Sequence, residues 1–164
     1  MARRTFLFIN IVGSTAPLSA IGDNAWSDLR RWHDETLRRC VAHEGGEEID
    51  HTGDGFFVSF PDSASAVACA RVIQRKLADH RREHGFAPQI RIGLHAAEAT
   101  KLGANYTDMG VHMAARIGAI AGAGEIVASA SSIDGLAQLD VSDRRMVDLK
   151  GIAGPIEVVR IDWA

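Results

Sequence analysis

Two short strand-patterned runs, roughly Glu47–Asp50 and Gly55–Phe60, are joined only by His51-Thr52-Gly53-Asp54, with a long helix-patterned stretch on either side. A connection this short, with Gly and Asp at its centre, predicts an antiparallel hairpin. Upstream, Thr5–Val12 is an apolar run rich in Phe and Ile and closed by Gly13-Ser14-Thr15, which predicts a buried strand ending in a tight turn. Between them, Trp26, Leu29, His33, Leu37 and Cys40/Val41 recur at helical spacing, so a helix is expected from a cap at Asn24 to about His43, ended by Gly45-Gly46.

Beyond the hairpin, Pro61-Asp62-Ser63 opens a second helix carrying Val67, Ala70, Ile73 and Leu77 on one face. Gln89–Ala97 alternates Ile90, Ile92 and Leu94 against Arg91, Gly93 and His95, a fourth strand, followed by a loop over Lys101–Tyr106. An Ala-rich helix is expected over Met109–Ile120, a short strand over Glu125–Ala128 and a short helix over Ser131–Leu139. A closing strand pair is expected over Met146–Leu149 and Ile156–Ile161. The order β-α-β-β-α-β is the split βαβ pattern, so the fold class is α+β: a ferredoxin-like βαββαβ core with a C-terminal extension. With no repeat, low-complexity segment or long linker, residues 1–164 are expected to form a single domain.

The charge balance removes several function classes. Formal net charge is −3, which leaves no basic footprint for nucleic acid and no polybasic membrane anchor. No apolar run approaches the ~20 residues of a membrane-spanning helix, and the short run after Arg3-Arg4 does not read as a secretory leader, so a cytoplasmic protein is expected. Cys40 and Cys69 both fall in helical stretches and suit buried free thiols.

Two turns carry chemistry. Asp54, flanked by Gly53 and Gly55, offers a carboxylate where backbone allows close approach, suited to Mg²⁺ or Mn²⁺ against phosphate oxygens, although Asp-Gly also suits a plain hairpin turn. Backbone N–H groups of Ile11, Val12, Gly13, Ser14 and Thr15 sit where a strand turns toward a helix, a place that can cradle phosphate. His95 reads as a strand histidine satisfied by hydrogen bonds and His51 as a solvated turn residue. Trp26 and Trp32 are expected to pack, and Trp163 to cover a sheet edge or a subunit interface.

Five segments in this order resemble the catalytic domain of class III adenylate and guanylate cyclases. They are Phe6–Thr15, Ile49–Phe56, Ile90–His95, Asn105-Tyr106 with Gly110–Arg116, and Leu149–Gly151 with Pro155–Val158. The resemblance covers nearly the whole chain. It implies the class III cyclase fold and a head-to-tail homodimer, or a heterodimer with another cyclase, with sites formed between subunits. It also implies conversion of ATP to cyclic AMP and pyrophosphate by attack of the 3′-hydroxyl on the α-phosphate with Mn²⁺ or Mg²⁺, and it places metal positions at Asn10 and Asp54. Arg116 and Lys150 fall at phosphate-binding positions, His112 at the ribose-orienting position, and Asp50 and Asn105 at the base-recognition pair.

Several of these positions depart from the family pattern. Asn10 stands where an aspartate is usual, removing one unit of charge, so slow turnover and a preference for Mn²⁺ over Mg²⁺ are expected. His112 replaces an asparagine, and His95-Ala96-Ala97 lacks a usual glycine. Asp50, ionised, only accepts hydrogen bonds, and Asn105 both donates and accepts, so the pair suits guanine at least as well as adenine. A guanylate cyclase, and a degenerate cyclase that binds nucleotide or dimerises without turnover, are the alternatives.

Overall fold

The strand β1, Ala2–Val12, lies at the centre of the sheet, antiparallel to β3 (Gly55–Phe60) on one side and β4 (Gln89–Leu102) on the other. A computed structural model describes residues 2–13, 21–103, 105–107 and 109–164. Period-two alternation along β1 sends Leu7, Ile9 and Ile11 into one core and Phe6 and Phe8 into another, which is why this strand reads as a nearly continuous apolar run.

The remaining elements in chain order are α1 (Asp23–His43), β2 (Glu47–His51), α2 (Ser63–His84), β5 (Asn105–Thr107), α3 (Met109–Ile120), β6 (Ile126–Ser129), α4 (Ala130–Ile133), β7 (Val141–Val147) and β8 (Ile156–Ile161). The sheet runs β2-β3-β1-β4-β6-β8-β7, with β5 paired to β4 off this path. The first four strands are antiparallel neighbours in the expected split βαβ order, and β6 adds in parallel to β4 to begin the C-terminal extension. The α+β class and ferredoxin-like core therefore stand as expected.

Residues of α1 and α2, including Leu37, Val41, Ile73 and Leu77, form the larger core with Leu7, Ile9, Ile90 and Ile92. The other core residues gather with α3, through Ala114 and Ile117. The approach of α3 to β4 is backbone on backbone: a Cβ on Gly93 would collide with the Gly118 backbone and lie 2.9 Å from Ala114 O.

Several local expectations are corrected. Asn24 lies inside α1; Gly22 is the N-cap, and no side chain caps the helix. Lys101–Tyr106 is no loop, because β4 continues to Leu102 and folds back through β5, pairing Leu102 with Asn105. Of the helix expected over Ser131–Leu139 only Ala130–Ile133 forms: Ile133, Leu136 and Leu139 have helical spacing, but Gly135 intervenes and Gln138 takes a positive φ of 61°. The seventh strand is Val141–Val147 rather than Met146–Leu149. It ends the sheet, so polar Ser142–Arg145 can belong to it, and a bulge there puts Asp143 at φ 51°.

His51 is not a solvated turn residue. It ends β2, stacks on Phe56 at 4.2 Å, and places Nδ1 3.1 Å from Arg38 Nη2. His95 is hydrogen-bonded as expected, its Nδ1 2.6 Å from Ser129 Oγ, and it is buried, while Ala96 N donates to Ser132 Oγ at 2.8 Å. Trp163 covers a surface within the chain: its Nε1 donates to Gly124 O at 2.7 Å and its carbonyl accepts from Arg75 Nε at 2.6 Å. Trp26 is buried, Trp32 stacks on His80 at 3.8 Å, and both cysteines are buried and free.

Candidate functional site

The register of β1 against β3 pairs Asn10 with Gly55, the residue after the hairpin acid. Asn10 Oδ1 fills the space a side chain at Gly55 would need, so a glycine is required there for the end of β1 and the hairpin to meet. The same junction is pinned by Ile11 N, which donates to Asp54 O at 2.8 Å.

Beside this junction opens a cavity of about 420 Å³. Its polar lining includes Asn10 from β1, Asp50 from β2, Thr52 from the hairpin turn, Asn105 from β5 and His112 from α3. Aromatic rings form its apolar wall, with Phe8 and Phe57 stacked at 4.5 Å. Two of the polar groups are oriented by local hydrogen bonds. Asp50 Oδ1 accepts from His51 N at 2.9 Å, and Asn105 Oδ1 accepts from Tyr106 N at 2.8 Å, which leaves the Asn105 amide nitrogen as a donor.

The other expected site residues stand apart. Arg116 and Lys150 are exposed and do not line the cavity. Ile11 N–H is committed to Asp54 O rather than free for phosphate, and the Ile11 side chain is buried. Val12 continues the β1–β4 ladder opposite Gln89, and Gly13 takes a positive φ of 64°. Ser14 and Thr15 lie outside the described residues.

Asp54 does not line the cavity either. Its Oδ1 lies 3.3 Å from Arg30 Nη1, and Arg30 Nη2 donates to Gly53 O. Sequence reasoning missed Arg30, although a signal was present. It lies on the same helical face as Trp26, His33 and Leu37, so a charged residue on the stripe of α1 that faces the sheet needed an acidic partner there. Burial, reinforced by the charge of Arg30 and then by His51, pushes the His33 imidazole down to about 4.

The donor set suits one hard divalent cation better than two. It offers one carboxylate, at Asp54 in the hairpin turn, and one amide oxygen, at Asn10, whose Oδ1 lies against the adjoining Gly55. Among the described residues no group of three or more His, Cys, Asp or Glu side chains is placed to hold a metal.

No family model matches the chain. Over 135 residues it is 28% identical to the Rhizobium meliloti (strain 1021) protein named "Putative adenylate cyclase 3", a match spanning 79% of this chain but 23% of that one. Among solved structures it superposes on an adenylate cyclase of Trypanosoma brucei with TM-score 0.84 at 19% identity, covering 98% of this chain and 90% of the other. The guanylyl cyclase Cya2 gives TM-score 0.81 at 17% identity, covering 97% and 91%. The chain has the fold of the class III adenylate and guanylate cyclase catalytic domain.

Proposed function

We propose that residues 1–164 form a single nucleotidyl cyclase domain that converts ATP slowly to cyclic AMP and pyrophosphate. The observation that carries this reading is the cavity that gathers Asn10, Asp50, Asn105 and His112 beside the Asp54 turn, on a cyclase fold. In the reaction the ribose 3′-oxygen bonds to the α-phosphorus, the bond from that phosphorus to the bridging oxygen breaks, and pyrophosphate leaves while the hydroxyl proton passes to solvent.

Asp50 accepts a hydrogen bond from adenine N6 and the Asn105 amide donates to N1. His112 donates to the ribose and holds its 3′-oxygen toward the α-phosphate. Asp54 and Asn10 hold the divalent cation, Mn²⁺ in preference to Mg²⁺, because a single carboxylate offers little to an ion that dehydrates reluctantly. When bound, the cation neutralises phosphate charge and lowers the pKa of the attacking hydroxyl. Arg116 and Lys150 neutralise charge on the leaving phosphates. Their exposure away from the cavity supports a head-to-tail homodimer, or a pairing with another cyclase, in which one subunit supplies the metal residues Asn10 and Asp54 and its partner supplies Asp50, Asn105, His112 and the phosphate-binding cations.

A second base is favoured by one observation. With Asn105 Oδ1 engaged by Tyr106 N, its free amide also suits guanine O6, while Asp50 accepts from guanine N1–H and N2–H, so GTP is the alternative substrate. No helix among the described residues is long and apolar enough to cross a membrane, and the net charge of −3 offers no attraction for nucleic acid, which fits a cytoplasmic enzyme acting on a small nucleotide. The test is to incubate the purified protein with ATP or GTP in Mn²⁺ and quantify cyclic nucleotide. Product that disappears with Asp54→Ala supports the reading. No product at any metal concentration leaves a nucleotide-binding or dimerisation module instead.

A further inference from the structure

Arg30 already occupies the electrostatic position that an incoming metal ion would take at Asp54. The guanidinium is anchored from α1. Nη1 faces Asp54 Oδ1 at 3.3 Å, Nη2 donates to the carbonyl of Gly53 in the same turn, and Cζ lies 5.8 Å from the centre of the Trp26 ring. The arginine side chain is 23% exposed and the aspartate 52%, so the cation is the more confined partner and the carboxylate the more open one. Asn10, at the other metal position, contributes no charge. Asp54 and Arg30 together therefore sum to zero where a divalent cation needs an anionic site.

We propose that Arg30 is a built-in competitor for the divalent cation: metal binds Asp54 only as the carboxylate exchanges the guanidinium for the ion. The inference rests on the reading of Asp54 as a metal position and adds a residue that sets how tightly that position holds its ion. The physical grounds are twofold. A carboxylate oxygen engaged by a guanidinium is less available to a metal, and a fixed positive charge a few ångströms away repels an approaching dication through a medium of intermediate dielectric. The bond to Gly53 O makes the competition local to the turn rather than a general effect of surface charge, because it holds the guanidinium in register with the hairpin.

The consequence is a site tuned toward metal delivered with substrate. A free ion must displace Arg30 unaided. A metal–triphosphate complex brings its own negative charge, toward which the released guanidinium can turn.

The test is Mn²⁺ binding to the purified, nucleotide-free protein, read from the loss of the free-ion paramagnetic resonance signal, with folding of each variant checked by its thermal unfolding midpoint. Arg30→Met should tighten Mn²⁺ binding by about tenfold, an effect of the size expected from removing one partly screened charge and its ion pair. Arg30→Gln removes the charge but keeps a donor for Gly53 O and should behave like Arg30→Met, so it carries the test if the methionine variant does not fold. Arg30→Lys should stay near the unmodified protein. Asp54→Ala should abolish binding with or without Arg30. Equal Mn²⁺ affinity for the unmodified protein and for Arg30→Gln, with binding still lost in Asp54→Ala, would overturn the competition and leave the metal position standing. Binding that survives Asp54→Ala, or none in any variant, would overturn both.

Discussion

Acidification should destabilise this fold through two buried histidines. His33 is 2% exposed, and its Nδ1 has no hydrogen-bond partner among the described residues. His95 is 9% exposed and bonded to Ser129. Burial, then the neighbouring charges, pushes both rings from 6.5 down to about 4. Each folded-state value lies below the unfolded one, so the neutral ring contributes its full stability above about pH 6.5 and loses it as pH falls toward 4. At ~1.4 kcal/mol per pH unit the whole effect is about 3 kcal/mol per ring, of which about 2 kcal/mol is lost by pH 5. Two rings therefore cost about 4 kcal/mol between pH 7.5 and pH 5, a large part of the ~5–15 kcal/mol that holds a domain folded. The assay is urea unfolding at the two pH values. His95→Gln keeps a group that can bond Ser129 but does not titrate, and its loss should fall to about 2 kcal/mol. If His95→Gln loses as much stability as the unmodified protein, the buried-neutral account of His95 is wrong.

Three further outcomes follow from the site and the core. Asn10→Asp restores a unit of negative charge and should raise cyclic nucleotide formation in Mg²⁺ by ~10-fold or more while changing the Mn²⁺ rate less; the ratio of the two rates checks it. Asp54→Ala and Arg116→Ala should each be inactive alone but recover activity when mixed, since a mixed dimer contains one site with neither change; no recovery would count against the shared-site arrangement. Gly93→Ala should destabilise by at least ~1–3 kcal/mol, because the new methyl meets the Gly118 backbone, which cannot move aside as a flexible side chain would; chemical denaturation measures it.

Much of the fold was legible because its signals are local. The apolar run of Thr5–Val12, the short turn between β2 and β3, and the helical stripes of α1 and α2 all act within a few residues, and the boundaries of β3, α3 and β8 came out as expected. Signals failed where the deciding partner was distant or solvent took its place. The polar strand β7 needs only a neighbour to pair with, and β8 supplies it. The return strand β5 is too short to show any period, and it forms because β4 projects far enough to receive it.

The same division runs through the site. The resemblance to the cyclase family nominated Asn10, Asp50, Asn105 and His112, which lie far apart in the chain, and their meeting around one cavity follows from β1 pairing with β3 while α3 packs against β4. What Asp54 faces was decided by tertiary structure alone. The chain shows an acid in a glycine-flanked turn; the packing of α1 brings Arg30 across to that acid from 24 residues upstream. Sequence determines which groups can ionise or donate, since that is covalent chemistry. Which opposite charge lies within a few ångströms, and so which states those groups adopt, is settled only when the elements pack, because Coulomb attraction depends on distance in space and not along the chain.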